Sequence, residues 1–248
     1  MKISIITISF NAKATIEKTL KSVANQSYKD IEHIIVDGGS KDNTIDICNS
    51  FSHISKTISE PDKGVYDAFN KGLRLATGDI IGFLNADDTF YNKNSIQDIA
   101  DAFNQNRVDI VYGNLDYING KGKVIRNWRS QSYKKGLIKQ AWMPAHPTFY
   151  CKKDVYDRLG GYNDSFKIAG DFELCLRFLE INNILSFYLD KKLVKMLTGG
   201  ISNSGLKSKW VIYKEEIRAF KINNVSINSF LFFLYKFKKL KQFFHFFN

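Results

Sequence analysis

The sequence is short of proline, cysteine and long apolar runs, and each shortage excludes a class of protein. Three prolines and 16 glycines in 248 residues leave no low-complexity tract, and no fixed period marks a solenoid or propeller. Cys48, Cys151 and Cys175 are odd in number and form no CxxC pair, so neither a zinc ribbon nor a disulfide framework is indicated. The longest uncharged apolar stretch near the C-terminus, FLFFLY at 230–235, falls far short of the roughly 18–20 residues of a spanning helix. The opening MKISIITISF lacks a small-residue cleavage site and is broken by Asn11, which reads as a buried strand rather than a signal peptide. A reduced, cytoplasmic protein is expected, peripheral on the inner face of the membrane. Acidic residues are scarce in one region. Residues 191–248 carry 12 Lys/Arg against 2 Asp/Glu, within a net charge of +11 for the whole chain. A nearly neutral body thus carries a basic tail.

What is present is 44% hydrophobic residues, enough for a real core. Residues 3–9 (ISIITIS) are short, β-branched and apolar, the pattern of a strand covered on both faces. The segment 12–26 sets Ile16, Leu20, Val23 and Ala24 on one helical stripe. Further strands are expected at 31–37, 54–59 and 80–84, with helices opening at Asp42-Asn43-Thr44 and covering 65–76. This alternation predicts an α/β fold with a parallel sheet and right-handed crossovers. In such sheets ligands bind beyond the carboxyl ends of the strands. A strand at 108–113, a turn at Asn119-Gly120 and a helix over 170–180 follow, while 113–145 and 190–206 read as irregular loops. One domain over 1–206 and a helical, basic, aromatic extension over 207–248 are expected.

Three strand ends are polar: Ser9-Phe10-Asn11, Asp37-Gly38-Gly39-Ser40 and Asn85-Ala86-Asp87-Asp88. Taken singly, Ser40 and Asp42 read as helix caps, and Asp87-Asp88 as a solvated turn before the helix after Asn94-Ser95. Together they describe a nucleotide-binding edge. Adjacent carboxylates repel unless a cation or strong donors lie nearby, and an all-oxygen set suits Mg2+ or Mn2+.

These residues, with the block at 59–88 (SEPDKGVYDAFNKGLRLATGDIIGFLNADD), MPAHPTFY at 143–150 and AGDFELCLRF at 169–178, closely resemble family 2 glycosyltransferases. These are inverting nucleotide-sugar enzymes of GT-A fold, and the resemblance spans roughly residues 2–202. The wording is similar to soluble members that build bacterial surface polysaccharides of the O-antigen and colanic-acid type.

The resemblance implies a mostly parallel GT-A sheet flanked by helices, and it assigns roles. Asp37 would bond the uracil ring, with Thr7, Ser9 and Asn11 lining base and ribose. Asp62 and Lys63 would reach the base or the diphosphate, with Asp67, Asn70 and Lys71 in the same cleft. Asp67 and Asn70 read equally well as ordinary polar helix surface. Asp87 would lie near the ribose or sugar, and Asp88 would hold a Mn2+ or Mg2+ ion that offsets charge on the departing diphosphate. Asn85 stands where many relatives have Asp. Asp171 would be the base that takes the proton of the acceptor hydroxyl. In the family that base commonly follows Glu; here Gly170 precedes it. On its own, Asp171 would support the first turn of its helix. His146, held extended between Pro144 and Pro147, would contact diphosphate, metal or acceptor, or else bond loop backbone. TGGIS at 198–202 resembles the loop that closes over the diphosphate, and two glycines equally make a turn.

Eight of the 20 phenylalanines lie in the last 19 residues, interleaved with Lys236, Lys238, Lys239 and Lys241. Basic and aromatic residues so mixed suit an anionic membrane surface. The phenylalanine content and the lack of a nucleic-acid module argue against nucleic acid. Packing back onto the domain or a second subunit is the remaining alternative. The expected activity is transfer of one sugar per encounter from a UDP-sugar to a lipid-linked oligosaccharide, since the QxxRW motif of processive synthases is missing. A nucleotidyltransferase is the enzymatic rival, but residues 7–13 lack the glycine of its phosphate-binding turn. A non-catalytic membrane adaptor would leave the carboxylates unexplained. Whether the chain is a homo-oligomer is open.

Overall fold

The computed structural model describes residues 1–198 and 206–240. The N-terminal half alternates β1 (Ile3–Ser9), α1 (Ile16–Ala24), β2 (Ile31–Asp37), α2 (Thr44–Asn49), β3 (Ile54–Ser59), α3 (Val65–Leu75) and β4 (Ile80–Phe83). Next come β5 (Thr89–Phe90), α4 (Ser95–Gln105), the hairpin β6 (Ile110–Ile118) and β7 (Val124–Trp128), then β8 (Tyr150–Lys152) and α5 (Lys153–Leu159). The chain closes with α6 (Gly170–Cys175), a π-helical turn (Leu176–Ile181), β9 (Ser186–Leu197), α7 (Leu206–Ile222) and α8 (Ser229–Leu240).

The nine strands among the described residues join one mixed sheet in the order β3-β2-β1-β4-β8-β6-β9-β5, with β7 on β6. The run β3-β2-β1-β4 is parallel, as the alternating sequence requires. The inner strands β1, β2 and β4 bury both faces, with Ile3, Ile5, Ile6, Ile34, Ile35, Ile80 and Ile81 fully buried, whereas the edge strand β3 alternates half-buried and exposed residues. Beyond β4 the sheet is antiparallel at β4-β8, β8-β6 and β9-β5, with one parallel pair, β6-β9. Parallel character is therefore confined to the N-terminal strands and this pair. Gly72 lets α3 lie directly on β1, because a Cβ there would collide with the Ile6 side chain. This close approach brings the N-terminal end of α3 to the carboxyl edge of the sheet.

Two stretches expected as irregular loops are partly strand. Residues 113–118 and 124–128 belong to β6 and β7, and 190–197 to β9. The alternation in β9 is obscured by Asp190-Lys191-Lys192, where its pairing with β6 shifts register twice.

α7 and α8 are helical as expected, and they pack on the body. Phe220 and Phe232 are each about 1% exposed and lie 5.5 Å and 6.1 Å, ring to ring, from Phe172 of α6. Truncating the chain before α8 would remove a core phenylalanine, a change worth about 3–5 kcal/mol. Residues 241–248 lie outside the described residues.

Candidate active site

The carboxyl ends of β1, β2 and β4 are tied together by backbone. Gly38 N–H donates to Ser9 C=O (2.8 Å) and Ala86 N–H to Ile8 C=O (3.2 Å). The three polar strand ends thus share one edge. Asn11, at φ 49°, turns the chain after β1 in a left-handed conformation that Asn tolerates. Its N–H donates to Ser40 Oγ (2.8 Å) and its Oδ1 accepts from Lys41 N–H (2.9 Å), which fixes the β1 and β2 loops to one another.

Asp37 is fully buried and saturated by its own neighbourhood. Oδ1 accepts from Ser9 Oγ (2.9 Å) and Ser40 Oγ (2.5 Å); Oδ2 accepts from Gly39 N–H, Ser40 N–H and Ser59 Oγ. Burial opposes the charge, yet these donors prevail and hold the carboxyl below its ordinary pKa. Asp37 and Ser9 therefore build the loop, and a base could bond Asp37 only by displacing one of these donors. Thr7 is also fully buried; its hydroxyl meets His33 Nε2 at 3.0 Å and its backbone lies within the β1–β2 ladder opposite Ile35, so it supports the edge from inside the sheet.

That buried imidazole carries a stability prediction. His33 is 1% exposed, its Nδ1 lies 3.0 Å from His53 Nε2, and burial first, then His53, pushes its pKa down to about 3. The folded state thus favours neutral His33, so its contribution is complete above the ordinary value of 6.5 and is lost as pH falls from there toward 3. Thermal melts should show stability declining from pH 6.5 to 4.5 by on the order of 2 kcal/mol, and His33→Asn should flatten that slope.

Around the start of α3 the remaining candidates form one ion-pair cluster. Lys71 Nζ, 10% exposed, lies 2.7 Å from Asp62, 2.9 Å from Glu60 and 3.7 Å from Asp67, and it donates to Pro61 C=O. Asp67 in turn accepts from Lys63 N–H (3.0 Å), which folds the 60–67 loop onto the helix. A Cβ on Gly38 would sit 2.9 Å from Asp62 Oδ2, so Asp62 borders the β2 turn. Lys71 is spent within this cluster. The Lys63 ammonium, exposed, makes no hydrogen bond or ion pair among the described residues, and after the bond from Lys63 N–H its charge contributes to holding Asp67 below its ordinary pKa. Asn70 departs from the expected cleft role: its Oδ1 accepts from Tyr162 N–H (2.9 Å) and its Nδ2 donates to Tyr162 C=O (2.8 Å), so its amide is occupied in holding that loop.

Asp171 opens α6. Its Oδ1 accepts from Phe172 N–H (2.9 Å), and its Oδ2 lies 3.2 Å from His146 Nδ1. That contact is close but not aligned as a hydrogen bond, which leaves the buried Nδ1 without one. Tyr66 of α3 braces the same corner: its hydroxyl donates to Ile168 C=O (2.6 Å) and sits 3.4 Å from Asp171 N–H. A Cβ on Gly170 would come within 2.7 Å of the Tyr66 ring, so the glycine where relatives commonly carry Glu is the residue this packing admits.

Asp88 and Asp171 both lie within electrostatic reach of a third group. Tyr117 on β6 has its pKa pushed up to about 12, by burial first and then by the charges of Asp88 and Asp171, against the Arg126 guanidinium. Tyr117 stacks on Trp128 at 6.2 Å, Trp128 meets the edge of His146 at 5.8 Å, and Arg126 lies 5.1 Å over Tyr117. Two carboxylates more than 80 residues apart in sequence thus converge on one aromatic wall. Asp88 is fully buried, and the only hydrogen bonds to its carboxylate among the described residues are long ones from Leu197 N–H (3.3 Å) and Asn85 Nδ2 (3.5 Å). Burial and the neighbouring Asp87 push its pKa well above the carboxylate range; burial raises that of Asp87 too. No group of three His, Cys, Asp or Glu side chains arranged to hold a metal occurs among the described residues. Two under-compensated carboxylates nonetheless fit a divalent ion that takes its remaining ligands from phosphate and water. Residues 199–202 of the expected closing loop lie outside the described residues.

The sequence model of Glycosyl transferase family 2 matches residues 4–165, about two thirds of the chain. The chain belongs to glycosyl transferase family 2. It is 34% identical over 179 residues to an uncharacterised glycosyltransferase of Mycobacterium tuberculosis, covering 71% of this chain and 68% of that one. It is 28% identical over 215 residues to a PGL/p-HBAD biosynthesis glycosyltransferase of Mycobacterium bovis, covering 81% and 79%. The fold matches S. aureus TarS 1-349, solved in complex with UDP-GlcNAc, at a TM-score of 0.71 and 20% identity, over 99% of this chain and 73% of that one. It also matches a Pyrobaculum calidifontis mannosyltransferase in complex with GDP-Man and Mn2+, at a TM-score of 0.63 and 16% identity, over 89% and 67%. The protein is a glycosyltransferase with the GT-A fold.

Sequence reasoning passed over Phe10 and Tyr117. Phe10 is 65% exposed beside Gly38 and Asp62, and the signal was available: a bulky aromatic between two polar residues at the end of a buried strand. Tyr117 left no such mark, because its neighbours come from the segment between β4 and β5, from β7, β9 and α6.

Proposed function

We propose that this glycosyltransferase moves a sugar from a UDP-sugar to a hydroxyl of a lipid-linked saccharide, with inversion, in the assembly of a cell-surface polysaccharide. The observation that carries the reading is the convergence of Asp88 and Asp171 on Tyr117. The exposed Phe10 ring offers the uracil a stacking face, with Asp62 and the Asn11 loop at its rim. The free Lys63 ammonium meets the diphosphate at the mouth of the cleft. Asp88, with Asp87 beside it, would hold a divalent ion, Mn2+ or Mg2+; when bound, it offsets charge on the departing UDP. Asp171 Oδ1 is committed to its own helix, so Oδ2 takes the proton as the acceptor oxygen attacks the anomeric carbon opposite the leaving diphosphate. His146, beside Oδ2, limits where that proton and the acceptor can sit.

The donor half is tested by Phe10→Ala. Stacking of one base on an aromatic ring is worth about 1–3 kcal/mol, so UDP should bind roughly tenfold more weakly by titration calorimetry while the melting temperature holds. UDP affinity equal to wild type would move the base elsewhere on the edge. No helix among the described residues is long and apolar enough to cross a membrane. Peripheral attachment at the inner face is the arrangement proposed for reaching a lipid-linked acceptor.

A further inference from the structure

The C-terminal helices were expected to meet a membrane through the phenylalanines of the tail. In the structure Phe232 is consumed by the core, and the apolar side chains left outside come from both helices. On α8, Phe230 (70% exposed), Leu231 (45%) and Leu234 (41%) form one stripe at i, i+1 and i+4. On α7, Trp210 is 52% exposed. Tyr213 joins the two helices: it stacks on Trp210 at 5.5 Å, meets Phe233 at 5.6 Å, and donates from its hydroxyl to Ser229 C=O, next to Phe230. Trp210 and Phe230 therefore belong to the same end of the helix pair.

The charges around this patch are sorted by sign. Glu215 and Glu216 are the two acidic residues between 207 and 240. Glu215 turns inward and accepts from the N–H groups of Lys167, Ile168 and Ala169 at 2.8–2.9 Å. Glu216 is buried and paired with Lys236. Lys209, Lys214 and Lys221 remain exposed, and the Lys214 ammonium lies 5.3 Å over the Trp210 ring. Apolar side chains on two helices whose lysines face outward and whose two acids turn into the protein complement an anionic surface with an apolar layer beneath it.

We infer that Trp210 of α7 and the Phe230–Leu234 stripe of α8 form one docking face for an anionic lipid bilayer, with the exposed lysines at the headgroups. This rests on the membrane-facing part of the proposed function and is independent of the donor. The same α7 that carries Trp210 caps the loop at 167–169 through Glu215, two residues before Asp171. The docking face and the base thus belong to one packed unit.

The test is flotation of the full chain with phosphatidylcholine vesicles, pure or containing phosphatidylglycerol, at low and at 0.5 M salt (about three times physiological ionic strength). Wild type should float with the phosphatidylglycerol vesicles at low salt, and weakly with pure phosphatidylcholine. The exposed-site variant Trp210→Ser/Phe230→Ser/Leu234→Ser should melt like wild type and bind these vesicles at least about tenfold more weakly, as should Lys209→Glu/Lys214→Glu. Variants that float like wild type would overturn the assignment of this face, and equal binding to neutral vesicles would overturn its charge logic. A dimer that dissociates in the serine variant, with no vesicle binding by wild type, would assign the face to a second copy instead. Melting-temperature shifts with UDP-sugars, measured on the same samples, should be unchanged in these variants, so failure of the docking face and failure of the donor reading are read separately.

Discussion

Asp171→Asn should reduce sugar transfer by at least about a thousandfold while leaving the fold and UDP affinity intact. The substitution is nearly isosteric. The amide oxygen can take the Phe172 N–H that Oδ1 now accepts at 2.9 Å, so the first turn of α6 keeps its cap. The amide nitrogen would then face His146, where Oδ2 now sits 3.2 Å away, and an amide cannot accept the acceptor's proton. General base catalysis alone contributes about 10²–10⁴-fold, and the proposed inverting displacement leaves no covalent step to substitute for it. The loss should appear in kcat with saturating donor, with the UDP dissociation constant unmoved. Turnover like that of wild type would remove Asp171 from the chemistry and leave it a helix-start carboxylate.

Asp88→Asn should also abolish transfer, but with the opposite signature in binding and stability. In a fully buried carboxylate whose pKa burial and Asp87 drive well upward, the ionised form that a metal would need is costly to the fold. The neutral amide removes that cost, so without metal the variant should melt at the same temperature as wild type or higher. It should lose the metal-dependent part of donor binding, and EDTA should reproduce this loss in wild type. Full activity in EDTA would contradict the role of Asp88. A marked drop in melting temperature would mean that the Leu197 and Asn85 contacts, long as they are, carry structure.

Much of this site is legible in the sequence because its first half is local. A strand-helix alternation with apolar strands fixes β1 to β4, their parallel order and the edge where Ser9, Asp37 and Asp87-Asp88 emerge. Residue type is less informative about whether a polar group is free. Asp37, Lys71 and Asn70 all carry suitable chemistry, yet each is occupied, by serine hydroxyls, by acidic neighbours or by the Tyr162 backbone. The second half is built from long-range pairings that periodicity does not register. The two register shifts of β9 against β6, the hairpin that carries Tyr117 and Trp128, and the inward turn of Glu215 and Glu216 depend on neighbours distant in sequence. Gly170 is the instructive case: as a sequence it departs from the family pattern, and in the structure the Tyr66 ring fills the space beside it.

The most direct test is a thermal-shift screen of UDP-, GDP- and CDP-sugars with and without Mn2+, run on wild type, Asp88→Asn and Asp171→Asn. A ligand that binds the folded state raises its stability by mass action, about 2.7 kcal/mol at a hundred times its dissociation constant. One UDP-sugar should raise the melting temperature of wild type and Asp171→Asn further with Mn2+ than without it, and Mn2+ should add nothing to the shift of Asp88→Asn. No shift with any UDP-sugar in Mn2+, or an equal shift in all three proteins, would contradict a donor site in which Asp88 anchors the metal and Asp171 serves only the acceptor.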